Sequence, residues 1–96
     1  MRELLADARD GNYAVGSFNC PGLEYVQAVI LAAEALGKSV ILSFPQVHEK
    51  TVPLRVIGPV LLRAAEDASV PVCVHLDHGS TTEYVRQAIE LFHPGA

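Results

Sequence analysis

Short, nearly all-apolar segments alternate with longer helical patterns along the chain, and this alternation constrains the fold more than any other feature. The segments Tyr13–Phe18, Val40–Ser43 and Val70–His75 are bounded by turn residues and favour β-structure, which predicts three strands. A pattern of apolar residues at three- and four-residue spacing follows each one and predicts a helix. Apolar strands separated by helices form parallel sheets that helices cover. We therefore expect an α/β fold of about three βα units with right-handed crossovers.

Several helix ends are marked in the sequence. Gly37 follows the second helical pattern where a C-terminal cap belongs, and Pro53 suits the first turn of the third helix. Ser80-Thr81-Thr82-Glu83 matches a capping box, which predicts that Ser80 caps the fourth helix. His93-Pro94-Gly95-Ala96 is expected to end that helix. The predicted inner faces of the second, third and fourth helices contain Val26, Val29, Ile30, Ala33 and Leu36, then Ile57, Val60, Leu61, Ala64 and Ala65, and last Val85, Ala88, Ile89 and Phe92.

The acidic composition excludes several classes of function. Seven Lys and Arg against eleven Asp and Glu give a formal net charge of −4. Nucleic-acid binding and polybasic membrane contacts both need a basic surface, so we expect neither. The sequence has no apolar run of the roughly 18 residues that a membrane span takes, and its first residues lack the apolar core of a signal peptide. Cys20 and Cys73 form no metal or disulfide pattern, which fits small apolar fillers in a cytoplasmic protein.

The segments that follow the strands contain the candidate functional residues, because the carboxyl ends of parallel strands meet at one edge of the sheet. Asn19 follows the first strand, and a predicted polar loop, Phe44–Val52, follows the second. His75-Leu76-Asp77-His78-Gly79 comes at the end of the third and places two imidazoles and a carboxylate within four residues. Imidazole is a zinc ligand, and carboxylates act as ligands or as acid/base groups. This pattern predicts a divalent metal beside a proton-transferring carboxylate that acts on a carbonyl substrate.

Purely structural interpretations stay open for these residues. A single His at a strand end, such as His75, is commonly a hydrogen-bonding residue, and Asp77 is also a typical turn former. Asn19 is equally consistent with a residue that holds a βα turn. His48 and Glu49 lie in the predicted polar loop and are interpreted as a solvated pair, and Gln46 in the same loop carries little signal.

Four segments occur in an order and spacing that resemble a known enzyme family. They are Leu4-Leu5-Ala6-Asp7-Ala8, Tyr13-Ala14-Val15-Gly16-Ser17-Phe18-Asn19, Val40-Ile41-Leu42 and Val70-Pro71-Val72-Cys73-Val74-His75-Leu76-Asp77-His78-Gly79. Together they resemble the class II, metal-dependent fructose-bisphosphate aldolases, a family that includes the tagatose-bisphosphate aldolases. The resemblance extends over residues 1 to about 91 and matches the first third of the family's length. Residues 1–96 are therefore expected to form the N-terminal portion of a (β/α)₈ TIM barrel.

The resemblance also implies an activity and a role for each matched residue. The family performs the reversible, zinc-dependent aldol cleavage of a ketose 1,6-bisphosphate, fructose or tagatose, to dihydroxyacetone phosphate and glyceraldehyde 3-phosphate in cytoplasmic carbohydrate metabolism, including glycolysis. By the matched motif His78 is a zinc ligand, and Asp77 is the acid/base that moves the proton of the substrate's C4 hydroxyl. Asn19 lies near the substrate, and His75 has a supporting part. Zinc polarises the ketone while the carboxylate transfers the proton.

Length sets a further expectation. A TIM barrel takes roughly 250 residues, and three of its eight strands leave a sheet edge unpaired. The family's other zinc ligands and its phosphate loops come from later strands, so we expect the 96-residue chain alone to have little or no aldolase activity. Two alternatives remain. One is a non-catalytic remnant that associates with itself or with another chain through the open edge, and the other, weaker one is a metallohydrolase that uses His75, Asp77 and His78.

Overall fold

Three parallel strands form one sheet in the computed structural model, which describes residues 1–92. The strands are β1 (Gly16–Asn19), β2 (Val40–Pro45) and β3 (Val72–Asp77), and they lie side by side in the order β1-β2-β3. Both pairings are parallel, so the predicted α/β fold with three βα units is confirmed. The predicted helix end at residues 93–96 lies outside the described residues.

Four α-helices accompany the sheet: α1 (Arg2–Gly11), α2 (Leu23–Leu36), α3 (Leu54–Asp67) and α4 (Thr82–Phe92). Gly37 ends α2 in the left-handed conformation, with φ of 65°, and its N–H donates to the carbonyl of Glu34 at 3.2 Å. The prediction of a glycine cap there is confirmed, because glycine adopts this conformation without a Cβ penalty. None of the helices in residues 1–92 is long and apolar enough to cross a membrane.

Several strand ends lie closer to the C-terminus than predicted, although β2 begins at Val40 as expected. β1 begins at Gly16 rather than at Tyr13, because Gly16 is the first residue that pairs with β2. β3 runs to Asp77 rather than ending at His75, because β2 continues to Pro45 and pairs with Asp77. The sequence pattern marks apolar runs, whereas strand ends depend on the partner strand. These boundary predictions were wrong for that reason.

Two predicted local features also differ. The predicted loop Phe44–Val52 instead contains the end of β2 and a short 3₁₀ helix over Gln46–Lys50. The predicted cap of α4, Ser80, is replaced by Thr81, whose hydroxyl accepts a hydrogen bond from the N–H of Tyr84 at 3.1 Å. Thr81 is the residue directly before α4, so its side chain is the one that reaches the free N–H groups of the first turn.

The hydrophobic core lies on one face of the sheet. Leu42 and Phe44 of β2 are fully buried, and they pack with Val26 of α2 and with Ile57 and Leu61 of α3. Side chains alternate along a strand, so the neighbours of Leu42 and Phe44 point to the opposite face. The helices therefore cover one face of the sheet, and the other face carries Ile41 and Ser43 of β2, which are buried as well.

The outer helix faces depart from the sequence prediction. Val85 and Ile89 of α4 are 37% and 51% exposed, and Leu36 of α2 is exposed as well, although all three were assigned to inner faces. Val26, Ala33, Ile57, Leu61 and Ala88 are buried as predicted. The apolar stripe of α4 is wider than the surface that α3 covers among residues 1–92.

We expect Leu61→Ala to lower the free energy of unfolding by about 2–5 kcal/mol, because the side chain is fully buried and its removal leaves a cavity. Leu31→Ala is the matched control, since Leu31 lies on α2 and is 67% exposed. Its effect is expected within about 0.5 kcal/mol. Urea denaturation followed by circular dichroism measures both, and equal midpoints for the two variants would contradict this description of the core.

Candidate active site at the carboxyl edge of the sheet

The strand register places the candidate residues on one face. Asn19 pairs with Ser43, and Ser43 pairs with His75, so the three form a row across the sheet. Adjacent strands lie about 4.8 Å apart, which puts the backbones of Asn19 and His75 roughly 10 Å from each other. Asp77 is two residues beyond His75 on the same face of β3. This face is opposite the one that carries the core.

Asp77 lies between the two imidazoles of its segment. Its Oδ1 atom is 3.5 Å from Nε2 of His78 and 3.9 Å from Nε2 of His75. The Asp77 side chain is 38% exposed and that of His78 is 84% exposed, so both are open to a ligand. The structure thus brings Asp77, His75 and His78 together, as the sequence predicts, and places Asn19 two strands away at the same edge.

The turn after β3 has a constrained backbone. His78 adopts a φ of 55°, in the left-handed region that side chains other than Gly, Asn, Asp and His rarely occupy. Gly79 follows, and a Cβ there would lie 2.8 Å from Cγ2 of Val85 and 3.2 Å from Cδ2 of Leu76. This close approach explains the glycine. The sharp turn directs the chain away from the strand and leaves the His78 imidazole at the edge of the sheet.

The row is reinforced between β1 and β2. The hydroxyls of Ser17 and Ser43 are hydrogen-bonded at 2.5 Å, and the N–H of Cys20 donates to the carbonyl of Ser43 at 3.0 Å. Burial raises the pKa of the Cys20 thiol to about 11, so this group stays neutral at ordinary pH. Cys20 is therefore a buried filler beside Asn19, in agreement with its sequence interpretation.

The donors at this edge fit part of a zinc site. Catalytic zinc sites hold the ion with three protein ligands and leave one position open. The exposed imidazole of His78 is suited to be one such ligand, and Asp77 is the adjacent carboxylate. No group of three or more His, Cys, Asp and Glu residues placed to hold a metal ion occurs within residues 1–92. The described residues alone thus make an incomplete ligand set.

Two residues near the site are engaged in a way that the sequence did not indicate. Oε1 of Glu49 accepts hydrogen bonds from the hydroxyl of Tyr84 at 2.7 Å and from the N–H of Leu54 at 3.0 Å. Oε1 of Gln46 accepts hydrogen bonds from the N–H and the hydroxyl of Ser80. The interpretation of Glu49 as a solvated residue was wrong, because its carboxylate joins two helix starts. Gln46 and Glu49 are three residues apart directly after a strand, and this spacing is the only sequence signal that they share a role.

Comparison with known proteins gives a consistent result. Residues 1–95 match the family model described as fructose-bisphosphate aldolase class-II. A fructose-bisphosphate aldolase of Geobacillus stearothermophilus is 41% identical over 96 residues, which cover 94% of this chain and 32% of that protein. A 6-phospho-5-dehydro-2-deoxy-D-gluconate aldolase of Bacillus subtilis (strain 168) is 38% identical over 93 residues, with the same coverage of each.

Solved structures agree with this result. The X-ray crystal structure of the YdjI aldolase from Escherichia coli K12 has a TM-score of 0.90 and 31% sequence identity, over 95% of this chain and 36% of that one. A putative fructose-1,6-biphosphate aldolase from Coccidioides immitis has a TM-score of 0.84 and 27% identity, over 93% of this chain and 33% of that one. The chain spans about a third of the length of these proteins, and the expected partial TIM barrel is confirmed.

Substitutions at His78 test the left-handed turn separately from any chemistry. We expect His78→Val to lower the free energy of unfolding by about 1–2 kcal/mol, because a β-branched side chain clashes with the backbone at positive φ. Asparagine tolerates that φ, so His78→Asn is expected to change the free energy of unfolding by less than about 0.5 kcal/mol. His75→Val is the matched control, since His75 lies in β3, where valine is favoured. Urea denaturation midpoints measure all three, and equal stability of the Val and Asn variants at residue 78 would contradict the assignment.

Proposed function

Because the chain belongs to the class II fructose-bisphosphate aldolase family, we propose that residues 1–96 are the N-terminal portion of an enzyme for metal-dependent, reversible aldol cleavage. The proposed substrate is a ketose 1,6-bisphosphate, fructose or tagatose, and the products are dihydroxyacetone phosphate and glyceraldehyde 3-phosphate. The observation that carries the proposal is the contact of Asp77 with His78 at the carboxyl end of β3. Such strand ends hold the active sites of (β/α)₈ barrels. The proposed setting is cytoplasmic carbohydrate metabolism, including glycolysis.

Each residue at the edge has a proposed role. Asp77 moves the proton of the substrate's C4 hydroxyl, and its half-buried carboxylate is partly accessible. His78 contributes one imidazole to a zinc ion, which supplies Lewis-acid polarisation of the ketone. His75 supports Asp77, whose Oδ1 atom is 3.9 Å from Nε2 of His75. Asn19, at the end of β1, has an amide that can donate hydrogen bonds to substrate hydroxyls and accept hydrogen bonds from them.

The strands and ligands that residues 1–92 provide also bear on the activity of the 96-residue chain by itself. Residues 1–92 provide three parallel strands and an incomplete ligand set. A site of this chemistry needs every donor in place, because catalysis depends on groups that are fixed around the reacting atoms. We infer that the 96-residue chain alone has little or no aldolase activity.

A completed barrel tests the role of Asp77. We expect the 96-residue chain with zinc to release no dihydroxyacetone phosphate from fructose or tagatose 1,6-bisphosphate above background. Residues 1–92 joined to the remaining length of the Geobacillus stearothermophilus aldolase are expected to be active. Asp77→Asn in that chimera is expected to lower kcat by about 10²–10⁴, because the acid/base group is lost. Asp67→Asn, which alters an exposed ion pair on α3, is the matched control and should leave kcat unchanged.

Two results would contradict these statements. Turnover by the 96-residue chain near that of a full-length relative would overturn its proposed inactivity. A folded chimera in which Asp77→Asn keeps full activity would overturn the role of Asp77.

One observation favours a second candidate function, association with a further polypeptide. Among residues 1–92, β3 pairs with β2 on one side only, and Val85 and Ile89 on the neighbouring helix are exposed. An unpaired strand edge and an apolar helix face both bind other chains readily. In this interpretation the chain is a non-catalytic remnant that self-associates or docks through that edge.

We expect the purified chain to form dimers or larger species in sedimentation velocity at micromolar concentration. Val85→Lys combined with Ile89→Lys places charges on the exposed face and is expected to shift the chain toward monomer. Val47→Lys is the matched control, because Val47 is exposed but lies on the 3₁₀ helix after β2. A chain that is monomeric throughout would contradict self-association through this surface.

A further inference from the structure

The short 3₁₀ helix after β2 faces the turn that carries His78. Gln46 and Glu49 are three residues apart in this helix, a spacing at which side chains in a 3₁₀ helix eclipse one another. Both side chains therefore project to the same side, and both make hydrogen bonds to residues around the start of α4. The segment after β2 is joined in this way to the segment after β3.

Gln46 makes the bond nearest to the candidate site. Its Oε1 atom accepts hydrogen bonds from the N–H of Ser80 at 2.7 Å and from the Ser80 hydroxyl at 2.8 Å. Ser80 lies two residues after His78, whose backbone is in the left-handed region. Backbones in sparsely populated conformations persist only where surrounding structure fixes them. Gln46 lies outside the hydrophobic core, so its side chain contributes to the structure through these two hydrogen bonds.

Glu49 holds the other end of the same segment. Its Oε1 atom accepts the hydroxyl of Tyr84 and the N–H of Leu54, so one carboxylate oxygen joins the first turn of α4 to the start of α3. Its negative charge is also favourable at the N-terminus of α3. Tyr84 is buried, and that burial together with the bond to Glu49 raises the pKa of its phenol, which stays protonated as a donor.

We propose that Gln46 and Glu49 are positioning residues, which hold the turn of residues 78–80 and thereby orient the Asp77–His78 pair for a metal ion and substrate. The purpose assigned to the Asp77–His78 pair rests on the proposed function. The tie, by which we mean the hydrogen bonds of Gln46 to Ser80 and of Glu49 to Tyr84, stands without it. Gln46 fixes the turn just after His78, and Glu49 fixes the helix that the turn enters. Neither residue touches the reacting groups in this role.

Amide exchange in the full 96-residue chain tests the tie. We expect Gln46→Ala to raise the NMR-measured exchange rate of the Ser80 amide about five- to tenfold, the worth of one hydrogen bond. Gln46→Glu keeps an acceptor oxygen and is expected to restore the slower rate. Gln27→Ala on α2 is the matched control, with no change expected at Ser80. Unchanged exchange in Gln46→Ala would overturn the tie, whether or not the chain has a role in aldol cleavage.

Zinc titration of the same chain tests the positioning. NMR signals of the His78 imidazole report on binding, and we expect the Kd for zinc to rise about threefold or more in Gln46→Ala and in Tyr84→Phe, which removes the donor to Glu49. Gln27→Ala is expected to bind as the unaltered chain does. Equal zinc affinity in all variants would overturn the positioning role. Absence of zinc at His78 in the unaltered chain would overturn the positioning role for a metal in this chain and leave the proposed function to the chimera, while the exchange result would still decide the tie.

Discussion

The register of β2 with its two neighbours is the constraint on which the rest of the structure depends. Side chains alternate along a strand, so the same pairing that buries Leu42 and Phe44 against the helices places the Asn19–Ser43–His75 row on the other face. A slip of one residue would exchange the two faces and expose the core. Core burial therefore fixes the position of the candidate site, although no core residue takes part in it.

Much of the fold follows from the sequence, because apolar runs and helical spacing are local signals. Three strands, their parallel pairing and the location of the candidate residues were predicted in this way. Strand ends were not, because they depend on a partner: Leu76 and Asp77 belong to β3 since Phe44 and Pro45 lie beside them. Pro45 has no N–H to donate, and it is tolerated at the last position of β2.

The candidate site shows the same division between local and distant information. The carboxylate and the two imidazoles at the end of β3 are close in sequence, so their proximity was predictable. Ser80 and Tyr84, which bond to Gln46 and Glu49, lie 34 and 35 residues away from them, and no local pattern reveals these contacts. The same distant contact explains the displaced cap of α4. Ser80 donates its hydroxyl to Gln46, and Thr81 provides the oxygen for the helix start.

Burial across the sheet connects the architecture to the chemistry of the site. β2, with a strand on each side, is buried along its whole length, whereas β1 and β3, each paired on one side among residues 1–92, are partly open. Asp77 ends this open strand and His78 follows it, so water reaches both side chains and weakens their electrostatic interactions. A polypeptide that covered the free edge of β3 would remove that water and strengthen those interactions. The chemistry proposed for Asp77 and His78 thus depends on what covers the free edge of β3.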